Sequence, residues 1–238
     1  MHIIFIIAIL SAIPGFARLH VNTKYLALNE KPVGFVDLWN SGDKTLYVQV
    51  EGARYDLDES NSLVFTTNPN PKVFGLLYTP QKLVIKPGLK KRLRVSVLNQ
   101  SRGNEHQYYR LKYNVLEKPI DYTTPESGGM RTSVSIGLLY ETIVDVGKAK
   151  YSFRTTEVYD KNSKTIKITN SGNAMMGVGP FYQCKSQSSC KVFNIYTSLI
   201  PGQSFQYRLR PSSDSNYLKF TVGNYFGQQK TTKSIKLN

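Results

Sequence analysis

Apolar and polar positions alternate along most of this chain with a period of two, the pattern of strands with one buried face. The clearest case is Met130–Val146, MRTSVSIGLLYETIVDV. Met130, Thr132, Val134, Ile136, Leu138 and Tyr140 fall on one parity, and Arg131, Ser133, Ser135 and Gly137 on the other. The predicted strand is roughly twice the usual five or six residues. It follows Ser127-Gly128-Gly129, a flexible approach. A strand of this kind either looks into its own domain or lends an edge to another protein, and the pattern alone leaves both open.

The same reading predicts strands before and after it. Leu19–Leu28 is a first strand. Val33–Asn40 is a second, closed by the turn signal Ser41-Gly42-Asp43, with Thr45–Val50 as its hairpin partner. Residues 51–75, polar and rich in Asn and Pro, read as a long excursion. Leu76–Thr79 and Leu83–Ile85 lead to the turn Lys86-Pro87-Gly88, and Leu89–Leu98 and Gln107–Leu116 follow. About seven strands in some 130 residues suit an immunoglobulin-like sandwich. The pattern breaks at Gly147-Lys148-Ala149-Lys150, a short elbow. A second β unit then runs through Tyr151–Val158, Ser163–Asn170, Ala174–Cys184, Lys191–Thr197, Gln203–Leu209, Tyr217–Tyr225 and Thr232–Leu237. The expected architecture is all-β, two immunoglobulin-like β-sandwich domains over residues 18–146 and 147–238.

Composition agrees with this. The 238 residues include 16 Tyr and 11 Phe, enough to fill two cores rich in strand-forming residues. Residues 1–17, MHIIFIIAILSAIPGFA, form a short apolar run ending in small residues, which predicts an export signal cleaved near Ala17. The run departs from the usual form in having no Lys or Arg ahead of it. No later apolar stretch is long enough for stable membrane insertion. Cys184 and Cys190 flank a polar loop and are expected to pair in an oxidising compartment. Closing so small a ring restricts the unfolded chain by about 2 kcal/mol.

Candidate chemistry is sparse. A formal net charge of +15 suits an acidic partner or anionic surface. Export and the lack of a recognised motif argue against nucleic acid. The densest basic run, Lys90-Lys91-Arg92 with Arg94, alternates with Leu93, Val95 and Val97 and reads as a solvated strand face. His20 and His106 lie in no nucleophile or metal motif, and His106 reads as an exposed loop histidine. No catalytic residue, metal ligand or cofactor is expected.

Taken in order, these segments resemble the periplasmic chaperones of the chaperone–usher pilus pathway. The likeness rests on the N-S-G turn feeding TLYVQV, the block LLYTPQKLVIKPGLKKRLRV, the strand YYRLKY and the long alternating strand behind a flexible loop. In the second half it rests on TNSGNA, GPFYQC and LIPGQSF. The closing segments are most similar to the alternate chaperones of class 5 (CFA/I-like) and common-pilus fimbriae.

The resemblance implies a protein of the Gram-negative periplasm that binds, helps fold and protects pilus subunits, then delivers them to an outer-membrane usher. Subunits of this pathway lack one strand of their sandwich. The chaperone lends its own, a form of β-augmentation. The resemblance assigns that role to Met130, Thr132, Val134, Ile136 and Leu138, with the strand serving its own domain from Tyr140 onward. Each apolar side chain buried there contributes about 1.5–3 kcal/mol. The family also anchors a subunit's terminal carboxylate with basic residues, for which Lys24 and Arg110 are the candidates. Where classical members carry Lys late in the long strand, this chain has Glu141 and Thr142. Self-association of the free chain stays open. The rival reading is a secreted two-domain adhesin or structural fimbrial protein, in which the long strand would be a permanent core element.

Overall fold

The computed structural model describes residues 18–29, 31–98, 106–116, 140–147, 150–210, 215–224 and 230–237. Within them the chain is all-β. Its first half carries β1 (Leu19–Val21), β2 (Tyr25–Ala27), β3 (Val33–Asn40), β4 (Leu46–Leu57) and β5 (Leu63–Thr66). A single helical turn, α1 (Pro71–Phe74), precedes β6 (Leu76–Thr79), β7 (Lys82–Ile85), β8 (Lys90–Val97), β9 (Gln107–Leu116) and β10 (Tyr140–Val146). The second half carries β11 (Thr155–Asp160), β12 (Thr165–Asn170), β13 (Met176–Cys184) and β14 (Cys190–Phe193). After these come β15 (Thr197–Leu199), β16 (Ser204–Arg208), β17 (Tyr217–Asn224) and β18 (Lys230–Lys236).

In the first sandwich, one sheet has the order β1-β3-β8-β6. The other has the order β2-β10-β9-β4-β5, with β7 also on β4. Val36, Leu38, Leu46, Val48, Leu93, Val95, Leu111 and Val144 fill the space between them, all buried. Their alternation with polar neighbours along each strand is why these segments form half-buried strands. The second sandwich stacks β11-β12-β16 on β14-β13-β17-β18, with β15 also on β13. Ile166, Ile168, Phe181, Leu218 and Phe220 form its core.

Three expectations are corrected here. Leu19–Leu28 is not one strand. β1 pairs antiparallel with β3, and β2 pairs parallel with β10 in the opposite sheet. The crossing falls at the polar Asn22-Thr23, where Asn22 Oδ1 accepts from Asp37 N and Thr23 O from Thr142 Oγ1. Thr45–Val50 is not the hairpin partner of Val33–Asn40. It begins β4, which pairs with β5, β7 and β9. Residues 51–75 are not all loop, because β4 continues to Leu57, and β5 and α1 follow. Asn70 caps that turn through Lys72 N.

The two sandwiches share one corner device. The buried Asn40 donates through Nδ2 to Lys44 O and Ile85 O, and its Oδ1 accepts from Gly42 N. Asn170 repeats this with Ala174 O, Leu199 O and Gly172 N. In each case a Pro-Gly turn closes against the same Asn, Gly88 N on Asn40 O and Gly202 N on Asn170 O, both at 2.9 Å. Cys184 and Cys190 are disulfide-bonded across the β13–β14 hairpin, as expected. The basic run on β8 is exposed, with Arg92 paired to Asp37 and Lys90 over the Trp39 ring.

Candidate functional site

The long strand enters the described structure at Tyr140, and from there it belongs to its own sheet. Along β9 it is paired from Tyr140↔Tyr113 to Val146↔Gln107, and along β2 only from Ile143↔Tyr25 to Asp145↔Ala27. Tyr140 and Glu141 therefore have a strand on one side only among the described residues. On their other side the chain has crossed to β1 in the opposite sheet. The gap is a groove of about 510 Å³ whose walls include Leu19, Val21, Lys24, Tyr140 and Glu141. A strand edge that stops being covered in this way is a template for another chain. Met130, Thr132, Val134, Ile136 and Leu138, just upstream, lie outside the described residues.

The outward face of this sheet is organised in rows by the strand register. Glu141, Lys112 and Glu51 form one row, so Lys112 has an acid on each side. Ile143, Arg110 and Ala53 form the next, so Arg110 has no charged cross-strand neighbour. Its guanidinium instead stacks on Phe65 at 3.6 Å, a cation–π contact that leaves the positive charge unneutralised. Lys24 is exposed on the β2 side of β10, whereas Arg110 lies on the β9 side. Two strand spacings, roughly 10 Å, separate them. The structure places both near the start of β10 without bringing them together.

One row further on, the face closes against the second sandwich. Tyr108 and Ile143 pack with Met175 and Ile200, and Tyr25, Tyr55 and Leu57 lie against this cluster. The Tyr108 hydroxyl accepts from Met175 N at 2.7 Å. Arg110 thus stands next to the line where the two sandwiches meet.

His106 corrects a further expectation. It is a buried residue, not an exposed loop histidine, and its Nδ1 lies 2.7 Å from Asp145 Oδ1 with neither side chain exposed. Asp145 also accepts hydrogen bonds from the Tyr25 hydroxyl and, at 2.9 Å, from the Tyr151 hydroxyl. Asn29 donates to Tyr151. The His106 ring stacks on Tyr151 at 4.5 Å, and its backbone N donates to Asn173 O. Burial, and then the Asp145 charge, push the Tyr25 hydroxyl well above its ordinary range and raise that of Tyr151. This cluster ties the end of β10 to residues beyond Gly147. A signal for it was present in Ile143-Val144-Asp145-Val146, an acid inside an apolar strand that needs a buried partner.

Among the described residues no group of three or more His, Cys, Asp or Glu is arranged to hold a metal ion. No described helix is long and apolar enough to cross a membrane.

No family model matches the chain. A CFA/I fimbrial protein of Escherichia coli, named as a fimbrial subunit, is 23% identical over 168 residues, covering 68% of this chain and 67% of that protein. Among solved structures, the class 5 fimbriae chaperone CfaA aligns over 91% of this chain and 98% of its own with a TM-score of 0.62 at 18% identity. The chaperone CsuC, solved with the tip adhesion subunit CsuE from the archaic chaperone–usher Csu pili of Acinetobacter baumannii, aligns over 92% and 98% with a TM-score of 0.63 at 15% identity. The chain has the fold of the chaperone–usher pilus chaperones, across both sandwiches.

Proposed function

We propose that this protein is a periplasmic chaperone that holds pilus subunits by donating a β-strand and passes them to an outer-membrane usher. The observation that carries the reading is the half-covered start of β10 beside the groove to β1, in the fold of the pilus chaperones. A strand of the bound subunit entering that gap extends the sheet at Tyr140 and Glu141. Met130, Thr132, Val134, Ile136 and Leu138 then fill the subunit's open core with alternate apolar side chains. Arg110 is the better carboxylate anchor, since its charge is not balanced within its row, and Lys24 lies at the groove itself. Self-association of the free chain would cover the same edge.

The test is co-purification of the tagged chain from the periplasm with the products of neighbouring genes, beside the double variant Val134→Asp/Ile136→Asp. A one-to-one complex with a small β-subunit, lost in the variant while the fold persists, supports donation. A second reading, a structural fimbrial protein, draws on the name of the Escherichia coli relative. Recovery of the tagged chain in surface fibres would favour it.

A further inference from the structure

The uncovered start of β10 carries an acid. Glu141 is half-buried on the outward face of the sheet, the face it shares with Ile143 two residues on and with Lys112 and Arg110 across β9. Tyr140 points the other way, toward the core beside Tyr113. A strand entering the gap therefore sets one side chain against the core beside Tyr140 and the next one outward beside Glu141. Lys24, exposed where β2 begins, closes the far end of the gap. There Ile143 N donates to Lys24 O at 2.9 Å and Thr142 Oγ1 to Thr23 O at 2.8 Å. An entering strand must stop or turn at that point, so the residue beside Glu141 lies near its end.

Within the chain Glu141 is only half answered. On its covered side stands Lys112, which it shares with Glu51 on β4, so the row of three carries one more negative charge than positive. The salt bridges among the described residues join Arg54 to Asp56, Arg92 to Asp37 and His106 to Asp145, and none reaches Glu141. A net negative row stands out on a chain of net charge +15. The next row, Ile143 with Arg110 and Ala53, has the opposite sign. Two residues along a strand, about 7 Å, separate the two rows. While the gap is open, water solvates the Glu141 carboxylate. A strand that covers its open side removes that water, and the charge then needs a partner of opposite sign.

We propose that Glu141 selects among subunits, taking those whose strand in the gap places a Lys or Arg beside it on the outward face and rejecting those with an acid there. The inference rests on the chaperone reading above and names a chemistry of the subunit that reading leaves open. Opposite charges directly across a strand pair attract and like charges repel, so one carboxylate serves both selection and rejection. Arg110 and Glu141 then read two signs one row apart, the subunit's carboxylate and its cation.

Wild type and a variant, each with its own tag, compete in the periplasm for one subunit encoded by a neighbouring gene, and the share each recovers is measured. Glu141→Gln is expected to lose about threefold in share and Glu141→Lys about tenfold. Glu51→Lys changes the same row by the same charge but lies beyond Lys112, away from the gap, and is expected to keep its share. Replacing the subunit's Lys and Arg residues by Glu one at a time should find one change that weakens capture by the wild type and restores capture by Glu141→Lys. Circular dichroism of the free variants separates loss of capture from loss of fold, and Glu141→Gln, close in shape to the native residue, carries the test if Glu141→Lys does not fold. The proposal is overturned if the Glu141 variants compete as well as the wild type, or if no subunit position shows the exchange. It is overturned equally if Glu51→Lys loses as much, which would make overall charge the cause. Each of those outcomes leaves the chaperone reading standing, whereas a wild type that captures no subunit ends that reading and this inference with it.

Discussion

At Asp145 three side-chain donors, from His106, Tyr25 and Tyr151, converge on one fully buried carboxylate. A buried charge is tolerated only while its partners are in place, and removing one side of such a pair costs about 3–5 kcal/mol. Asp145→Asn is therefore expected to lower the unfolding free energy by about that much in urea titration. Asp37→Asn, at the exposed pair with Arg92, is expected to cost no more than about 1 kcal/mol. The same cluster predicts a pH dependence. Tyr25 is raised above its ordinary value by burial first and Asp145 second, so the folded state keeps a proton that the unfolded state loses. Its contribution is full below the unfolded value of 10.0 and falls as pH climbs from there toward the folded value. Each such tyrosine steepens the alkaline loss by up to about 1.4 kcal/mol per pH unit, and Tyr108 and Tyr113 are raised by burial as well. Urea midpoints measured from pH 8 upward should fall beyond pH 10, and less steeply in Tyr25→Phe. An unchanged slope would remove Tyr25 from the account.

Elements are legible in the sequence wherever their signals are local. Gln107–Leu116 and Val33–Asn40 are readable to the residue, because core positions recur at every second residue in each and loop-forming sequence flanks them. Partner choice is not, because a strand's sequence specifies its faces and not its neighbours. Hence β3 and β4 read as a hairpin although they lie in opposite sheets. Leu19–Leu28 reads as one strand for a similar reason, since crossing between sheets leaves the apolar pattern almost intact. His106 reads as exposed because its burial comes from Tyr151 and Asn173, which the chain reaches only some forty residues later or more. The recurring corners predict an effect at this scale. Asn40→Ala or Asn170→Ala orphans two carbonyls and one N–H in a closed turn, so each is expected to cost about 2–4 kcal/mol by urea unfolding. The exposed Asn68→Ala, whose side chain serves only Asn70 N, is the control and should be near neutral. If Asn40→Ala behaves like that control, the corner is not what holds the turns.

For the whole molecule the question is whether two sandwiches behave as one. Their described contacts are few in kind but well made: the hydrogen bond of Met175 N to the Tyr108 hydroxyl, the apolar cluster of Tyr108, Ile143, Met175 and Ile200, and the polar cluster around Asp145. Gly147 lies inside this junction, where an added Cβ would sit 2.6 Å from the His106 ring. That ring is held on its face by Tyr151 and on its edge by Asp145, so it cannot give way cheaply. Gly147→Ala is expected to loosen the junction while leaving each core untouched, because neither core contains Gly147. The wild-type chain should unfold in one calorimetric transition, and Gly147→Ala in two, with the apolar content of each sandwich sufficient to sustain its own. On the proposed chaperone function, capture of pilus subunits provides a second measurement on the same variant. Arg110 stands one row from the junction, and the groove at Tyr140 lies further out. If Arg110 is the proposed carboxylate anchor and depends on the angle between sandwiches, Gly147→Ala should weaken capture about as much as Arg110→Ala does. If capture is undiminished while unfolding splits in two, the proposed chaperone function would rest on the edge of the first sandwich alone, and the second would serve another purpose.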